Sequence, residues 1–184
     1  PTAVALAGLS LAALLASIPP SAGAAGDPLG WHHSPSTHIT PDNVARLAPA
    51  WVHRNGDMAA AQGPPSSVSA QSTPVLLPAG AGGHLVYCTP FNRVIALDPE
   101  TGRERWSYDP RLARTSDRPY RCRGVAYTEL PQPDARGACR RRLYTVTGDR
   151  RLIALDARDG RPCTGFGNDG TVTLRGPVKS DQEK

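Results

Sequence analysis

Aromatic residues are scarce, at 5% of 184 residues, and only three are Trp. A core cannot rest on aromatic stacking, so each indole needs its own explanation. Metal spacing is lacking too. Cys88, Cys122, Cys139 and Cys163 form no C-x-x-C, and His32, His33, His38, His53 and His84 show no ligand spacing. His32-His33 reads as a loop pair. No G-x-S-x-G, P-loop or H-E-x-x-H occurs. The beginning of the chain lacks both a positive start and an initiator Met, so we expect the sequence to begin inside a longer gene product.

Turn chemistry is abundant. With 18 Gly and 19 Pro the chain argues against a helical bundle. The net charge of +5 is carried mostly by Arg. The arginines are scattered through hairpins and loops, with one run at Arg140-Arg141-Arg142, and read as a solvated rim rather than a nucleic-acid surface. From Pro1 to Ile18 there is no charge, and the run breaks at Pro19-Pro20 before the small-x-small pattern Ala22-Gly23-Ala24. Residues 1–26 therefore read as the end of a secretory signal peptide, or as the end of a transmembrane segment. A buried core helix is the blander alternative. The first two readings place residues 27–184 outside the cytoplasm. Four cysteines agree with an oxidising compartment and allow three pairings, unless all remain free thiols. Cys139 and Cys163 flank one hairpin unit, which favours that bridge.

That hairpin unit organises the chain. Val94, Ile95 and Leu97 read as a buried strand. Asp98-Pro99-Glu100-Thr101-Gly102 is a turn in which Asp98 can accept backbone hydrogen bonds and Gly102 can take φ > 0. A second strand then carries Trp106 and Tyr108. Ile153–Arg161 repeats Ile95–Arg103 at an offset of 58, from position 95 to position 153. Such a repeat points to a radial or stacked β architecture. The offset exceeds a plain blade of roughly 40–45 residues, and the irregular stretch from Asp109 to Cys122 accounts for the excess.

In order, Thr40 to Leu47 reads as a short helix with Thr40 as N-cap and Pro41 at N1. Ala50-Trp51-Val52-His53 reads as a lone outer strand, and 57–72 as a low-complexity loop. Strands near 73–77, 85–89, 94–98 and 104–108 make one four-stranded blade. Strands near 124–128, 142–147 and 152–156, with a weak one after Gly160, make a second. Thr164 stands where the first hairpin has Trp106, leaving Phe166 to fill that role. Two blades and a stray strand do not close a ring, so we expect an N-terminal fragment of an all-β propeller.

Several stretches together resemble the pyrroloquinoline-quinone (PQQ) dehydrogenases, and look most like the membrane-bound glucose/quinate/shikimate group. The first hairpin matches the tryptophan-docking pattern A-x-D-x-x-x-G-x-x-x-W from Ala96 to Trp106. Ile39 to Trp51 with Gly56-Asp57, then Ser72-Thr73-Pro74, Cys88-Thr89-Pro90, Cys122-Arg123-Gly124-Val125-Ala126-Tyr127, and Cys163 with Phe166-Gly167 follow in that family's order.

The resemblance implies an eight-bladed propeller holding PQQ and Ca²⁺, in a dehydrogenase of the periplasm associated with the inner membrane. It would oxidise a sugar, polyol or cyclic alcohol and pass electrons to ubiquinone. Arg123 matches an arginine that contacts the cofactor, and a guanidinium fork suits a tricarboxylate quinone. Gln71 stands where many members carry a cofactor-contacting Glu. Pro119 stands where the glucose enzymes often have a cofactor-facing His, which departs from a glucose-specific site. The Ca²⁺ ligands and the catalytic carboxylate are expected outside this chain, so no catalytic or metal residue is assigned within it. The alternative is a non-catalytic periplasmic propeller that binds protein partners.

Overall fold

A computed structural model describes residues 37–60, 68–113, 119–132 and 139–174. The leader expected over 1–26 and the His32-His33 pair lie outside the described residues. Among the described residues no helix is long and apolar enough to cross a membrane.

The described strands are β1 (Val68–Ala70), β2 (Val75–Leu76), β3 (Leu85–Cys88), β4 (Val94–Leu97), β5 (Glu104–Tyr108), β6 (Tyr120–Cys122), β7 (Ala126–Glu129), β8 (Arg141–Val146), β9 (Arg151–Asp156) and β10 (Thr171–Thr173). They form two four-stranded antiparallel meanders, β2-β3-β4-β5 and β7-β8-β9-β10, and a two-stranded parallel ribbon of β1 and β6. These are the two expected blades of a β-propeller.

The repeat is carried in hydrogen bonds as well as in residues. In the first hairpin Asp98 N donates to Arg103 O and Gly102 N to Asp98 O; in the second Asp156 N donates to Arg161 O and Gly160 N to Asp156 O. Gly102 and Gly160 take φ 69° and 72°. The matching turns at the opposite end repeat as well. Thr89 N donates to Arg93 O and Asn92 N to Thr89 O, while Thr147 N donates to Arg151 O and Arg150 N to Thr147 O.

Pleating decides how the blades stack. Val94 and Ala96 lie on one face of β4 and join a single buried cluster with Val86, Leu143, Ile153, Leu155 and Ala157. The first blade thus packs one face against the second, and β9 turns Ile153 and Leu155 towards it. Ile95 and Leu97, their repeat partners, lie on the other face of β4 and are equally buried. The segment from Trp51 to Asp57 reaches this first blade. His53 Nδ1 lies 2.8 Å from the Tyr87 hydroxyl, and buried Asp57 accepts from Phe91 N at 2.9 Å and pairs with Arg93.

The indoles serve as the docking elements that the repeat implied. A Cβ built on Gly160 would lie 2.4 Å from the Trp106 ring, and one on Gly102 would lie 2.5 Å from the Trp51 ring. Each Trp covers the glycine turn of the next hairpin in sequence. Trp51 also donates Nε1 to Pro99 O at 3.1 Å, whereas Trp106 Nε1 is buried without a partner among the described residues. Trp106 is half-buried and packs against the cluster between the blades.

Several expectations are corrected. Residues 50–53 are not a strand; Trp51 docks from irregular backbone. The short helix is one 3-10 turn, Val44–Arg46, and Asn43 precedes it as the cap instead of Thr40. The Asn43 side chain accepts from Thr40 N at 2.8 Å and so closes the turn from the other end. Residues 68–70 and 120–122 were read as loop and pair as β1 and β6. The fourth strand of the second blade is β10 rather than the stretch directly after Gly160; there Pro162 forms only an isolated bridge to Leu155 and Cys163 N donates to Ala154 O at 2.8 Å, before the turns of 164–170 lead into β10. Phe166 packs edge-on to Tyr144 at 5.4 Å, within its own blade. The arginine run is not uniformly rim. Arg142 is buried with Nε donating to Cys139 O at 2.8 Å, and Arg141 is half-buried beside Glu129 at 3.3 Å.

The favoured Cys139–Cys163 bridge is present, with Cα atoms 5.6 Å apart. Cys88–Cys122 is the second bridge, with Cα atoms 5.9 Å apart.

Candidate functional site

The parallel ribbon brings the two sequence-predicted residues together. Ala70 faces Cys122 in register, so Gln71 and Arg123 are the next residues along neighbouring segments. The two segments stay close beyond the strands, since Thr73 N donates to Arg123 O at 3.3 Å. Each residue lies in the short segment that leads into the first strand of a blade, β2 from Val75 for Gln71 and β7 from Ala126 for Arg123. The Cys88–Cys122 bridge ties the end of β6 to the first blade. Ser72 Oγ accepts from Cys88 N at 3.1 Å and pulls the Gln71 segment onto the same point. Pro119 lies exposed one residue before β6.

Arg123 lines an open cleft of about 590 Å³ between the start of β7 and the end of β8, a size usual for small-molecule sites. Arg121, Cys122, Asn92, Thr145 and Thr147 share its lining. Gln71 is exposed beside it, with Nε2 donating to Ser69 Oγ at 3.2 Å, but does not itself line the cleft. Asn92 is buried at φ 61° and accepts from Gly148 N at 3.0 Å, which locks the inner turns of the two blades to each other.

The electrostatics distinguish this cleft from a second one of about 450 Å³ beside the first hairpin turn. There Arg105 is already paired with Asp98. Its guanidinium, with the Thr101 backbone N–H and hydroxyl, holds the Asp98 carboxyl well below the usual carboxylate range. In the cleft beside β7, no carboxylate among the described residues pairs with Arg121 or Arg123. Thr145, 3% exposed, keeps a buried hydroxyl without a partner. Two unpaired guanidiniums and an unsatisfied hydroxyl are a donor set for an anion. Among the described residues no cluster of His, Cys, Asp and Glu could hold a metal.

A family profile described as "PQQ: Glucose/ethanol/alcohol dehydrogenase, beta-propeller domain" matches residues 23–184. This chain belongs to the PQQ dehydrogenase β-propeller family. Quinoprotein glucose dehydrogenase of Escherichia coli (strain K12) is 36% identical over 79% of this chain and 18% of the relative. Quinate/shikimate dehydrogenase (quinone) of Acinetobacter baylyi is 37% identical over 74% of this chain and 18% of its own length. Glycerol dehydrogenase large subunit of Gluconobacter oxydans is 35% identical over 77% and 19% respectively. The chain thus spans about a fifth of these relatives' length, and all three are named as dehydrogenases.

For a PQQ-family propeller the donor set has the right chemistry. PQQ is a planar quinone with three carboxylates, and the cleft offers cations and a hydroxyl donor with no competing acid. The residues present fit the group. Arg123 was legible from the Cys-Arg-Gly-Val-Ala-Tyr stretch. Arg121 and Thr145 were not singled out. The alternation Tyr120, Arg121, Cys122, Arg123 was the one signal for Arg121, and Thr145 carried none.

Proposed function

We propose that the protein carrying this chain is a PQQ-dependent periplasmic dehydrogenase. It oxidises a sugar, polyol or cyclic alcohol and passes the electrons to ubiquinone at the inner membrane. The observation that carries this reading is the unpaired Arg123 in an acid-free cleft of a PQQ-family propeller, next to Gln71. Two disulfides suit an oxidising compartment.

Bound PQQ would supply the redox chemistry by accepting two electrons from the substrate alcohol. The chain's own part is binding. Arg123 presents a planar fork to a cofactor carboxylate. Gln71, uncharged, donates or accepts a hydrogen bond at the rim. Asn92 and the Cys88–Cys122 bridge fix the backbone that presents Arg123. Ca²⁺ accompanies the cofactor, with its ligands and the proton-accepting carboxylate supplied from outside this chain.

The test is PQQ titration of the full-length apo-protein. Arg123→Ala removes a charge-assisted hydrogen bond worth roughly 1.5–3 kcal/mol, so affinity should fall about 10- to 150-fold. Arg123→Lys should recover only part, because an ammonium lacks the fork. Arg161→Ala is the control. Its side chain is 85% exposed and outside the cleft, and affinity should stay within about twofold because solvent screens it. Unchanged affinity in a folded Arg123→Ala protein would remove Arg123 from the site.

A further inference from the structure

We propose that Arg121 is a second carboxylate-binding residue of this cleft, acting with Arg123 as a paired clamp. The inference rests on the cofactor-site reading above and extends it to a residue that reading does not use. Tyr120 and Cys122 are buried, while Arg121 and Arg123 are exposed. Arg121 lies within β6 and Arg123 directly follows it, so two residues of backbone hold their Cα atoms no more than roughly 7 Å apart. Both line the same cleft. Two forks at that spacing suit two carboxylates, either two arms of one polyacid or one from each of two ligands.

The backbone beneath Arg121 is held from two sides. Ser69 pairs with it in register across the ribbon, and Asn92 Nδ2 lies 3.5 Å from its carbonyl oxygen. A merely solvated arginine needs no such mounting. Like charges lining one cleft also repel, and no described carboxylate neutralises them. An anionic ligand removes that repulsion. Thr145, whose buried hydroxyl has no partner among the described residues, lines the same cleft. The second carboxylate has two sources, PQQ itself or an acidic substrate such as quinate.

The experiment titrates full-length Arg121→Ala, Arg121→Lys and Arg123→Ala apo-proteins with PQQ, followed by tryptophan fluorescence. The PQQ-loaded forms are then titrated with quinate and with uncharged glycerol by calorimetry. A fall of about tenfold in PQQ affinity for Arg121→Ala, partly restored by Arg121→Lys, supports the clamp with the cofactor as source. Unchanged PQQ affinity with about tenfold weaker quinate and unaltered glycerol binding supports it with the substrate as source. If Arg121→Ala shifts neither PQQ nor quinate while circular dichroism shows a folded protein, the inference is overturned. Arg123→Ala decides the underlying reading separately. If it weakens PQQ and Arg121→Ala does nothing, the cofactor site stands and only the clamp falls.

Discussion

Single residues fix both the docking and its pH dependence. Gly160 sits at φ 72° with the Trp106 ring where a Cβ would go, whereas Gly56 at φ 80° has open space around it. Left-handed backbone alone costs an L-residue roughly 1–2 kcal/mol. Gly56→Ala should therefore lose about that much stability, and Gly160→Ala distinctly more because the indole must also move. Urea denaturation of both variants checks the order; equal losses would deny the docking. Asp98 gives a sign that can be checked. Arg105 and the Thr101 donors lower its folded pKa below the unfolded value of about 3.9. Its stabilisation is therefore complete above that pH and is lost as pH falls towards the folded value. Asp98→Asn should be less stable than the parent at pH 7, with a gap that narrows between pH 5 and pH 2. A constant gap would mean that the carboxylate charge contributes nothing. At Asp156 burial pushes the carboxyl up, but bonds from Arg158 hold it below its ordinary range, so the two turns behave alike. The acidic role of Asp98 was legible because Asp-x-x-x-Gly turn chemistry is local. Asn43 capping Thr40 in reverse was not, since either residue can cap and only the backbone path decides.

At the scale of elements, the readable parts are those whose partners lie nearby in sequence. Glu104–Tyr108 falls where alternation put it, and the hairpins repeat bond for bond. The ribbon of β1 and β6 escaped because three residues are too few for a period and the pairing spans a long, irregular connection. That ribbon is what sets Gln71 beside Arg123, so half of the site's geometry was hidden with it. β10 was read too early because Arg161-Pro162-Cys163 stay bonded to β9 through a single bridge, and nothing local says that the turns of 164–170 will intervene before the strand proper. The bridges should differ accordingly. Cys139–Cys163 spans a sequence separation of 24, and removing it by a double Ser substitution should cost about 2–4 kcal/mol without altering PQQ affinity. Removing Cys88–Cys122 should also weaken PQQ binding, since Cys122 directly precedes Arg123. Thermal denaturation with PQQ titration of both double variants separates the two roles. Equal PQQ affinity in both would show that the second bridge does not position the site.

As a whole, the described chain is two blades stacked face to face, with Trp51 and Trp106 docking successive turns. A propeller needs a ring of blades to bury every face. The relatives are about five times as long. The 184-residue chain alone, supplied with PQQ and Ca²⁺, should therefore show no dye-linked dehydrogenase turnover; measurable turnover would mean that the rest of the ring is dispensable. The central claim is that the cleft beside β7 is where PQQ binds. A crystal structure of the full-length protein grown with PQQ tests it most directly. The account predicts a cofactor carboxylate within hydrogen-bonding distance of the Arg123 guanidinium, with Gln71 alongside. PQQ bound elsewhere, with Arg123 left in solvent, would contradict it.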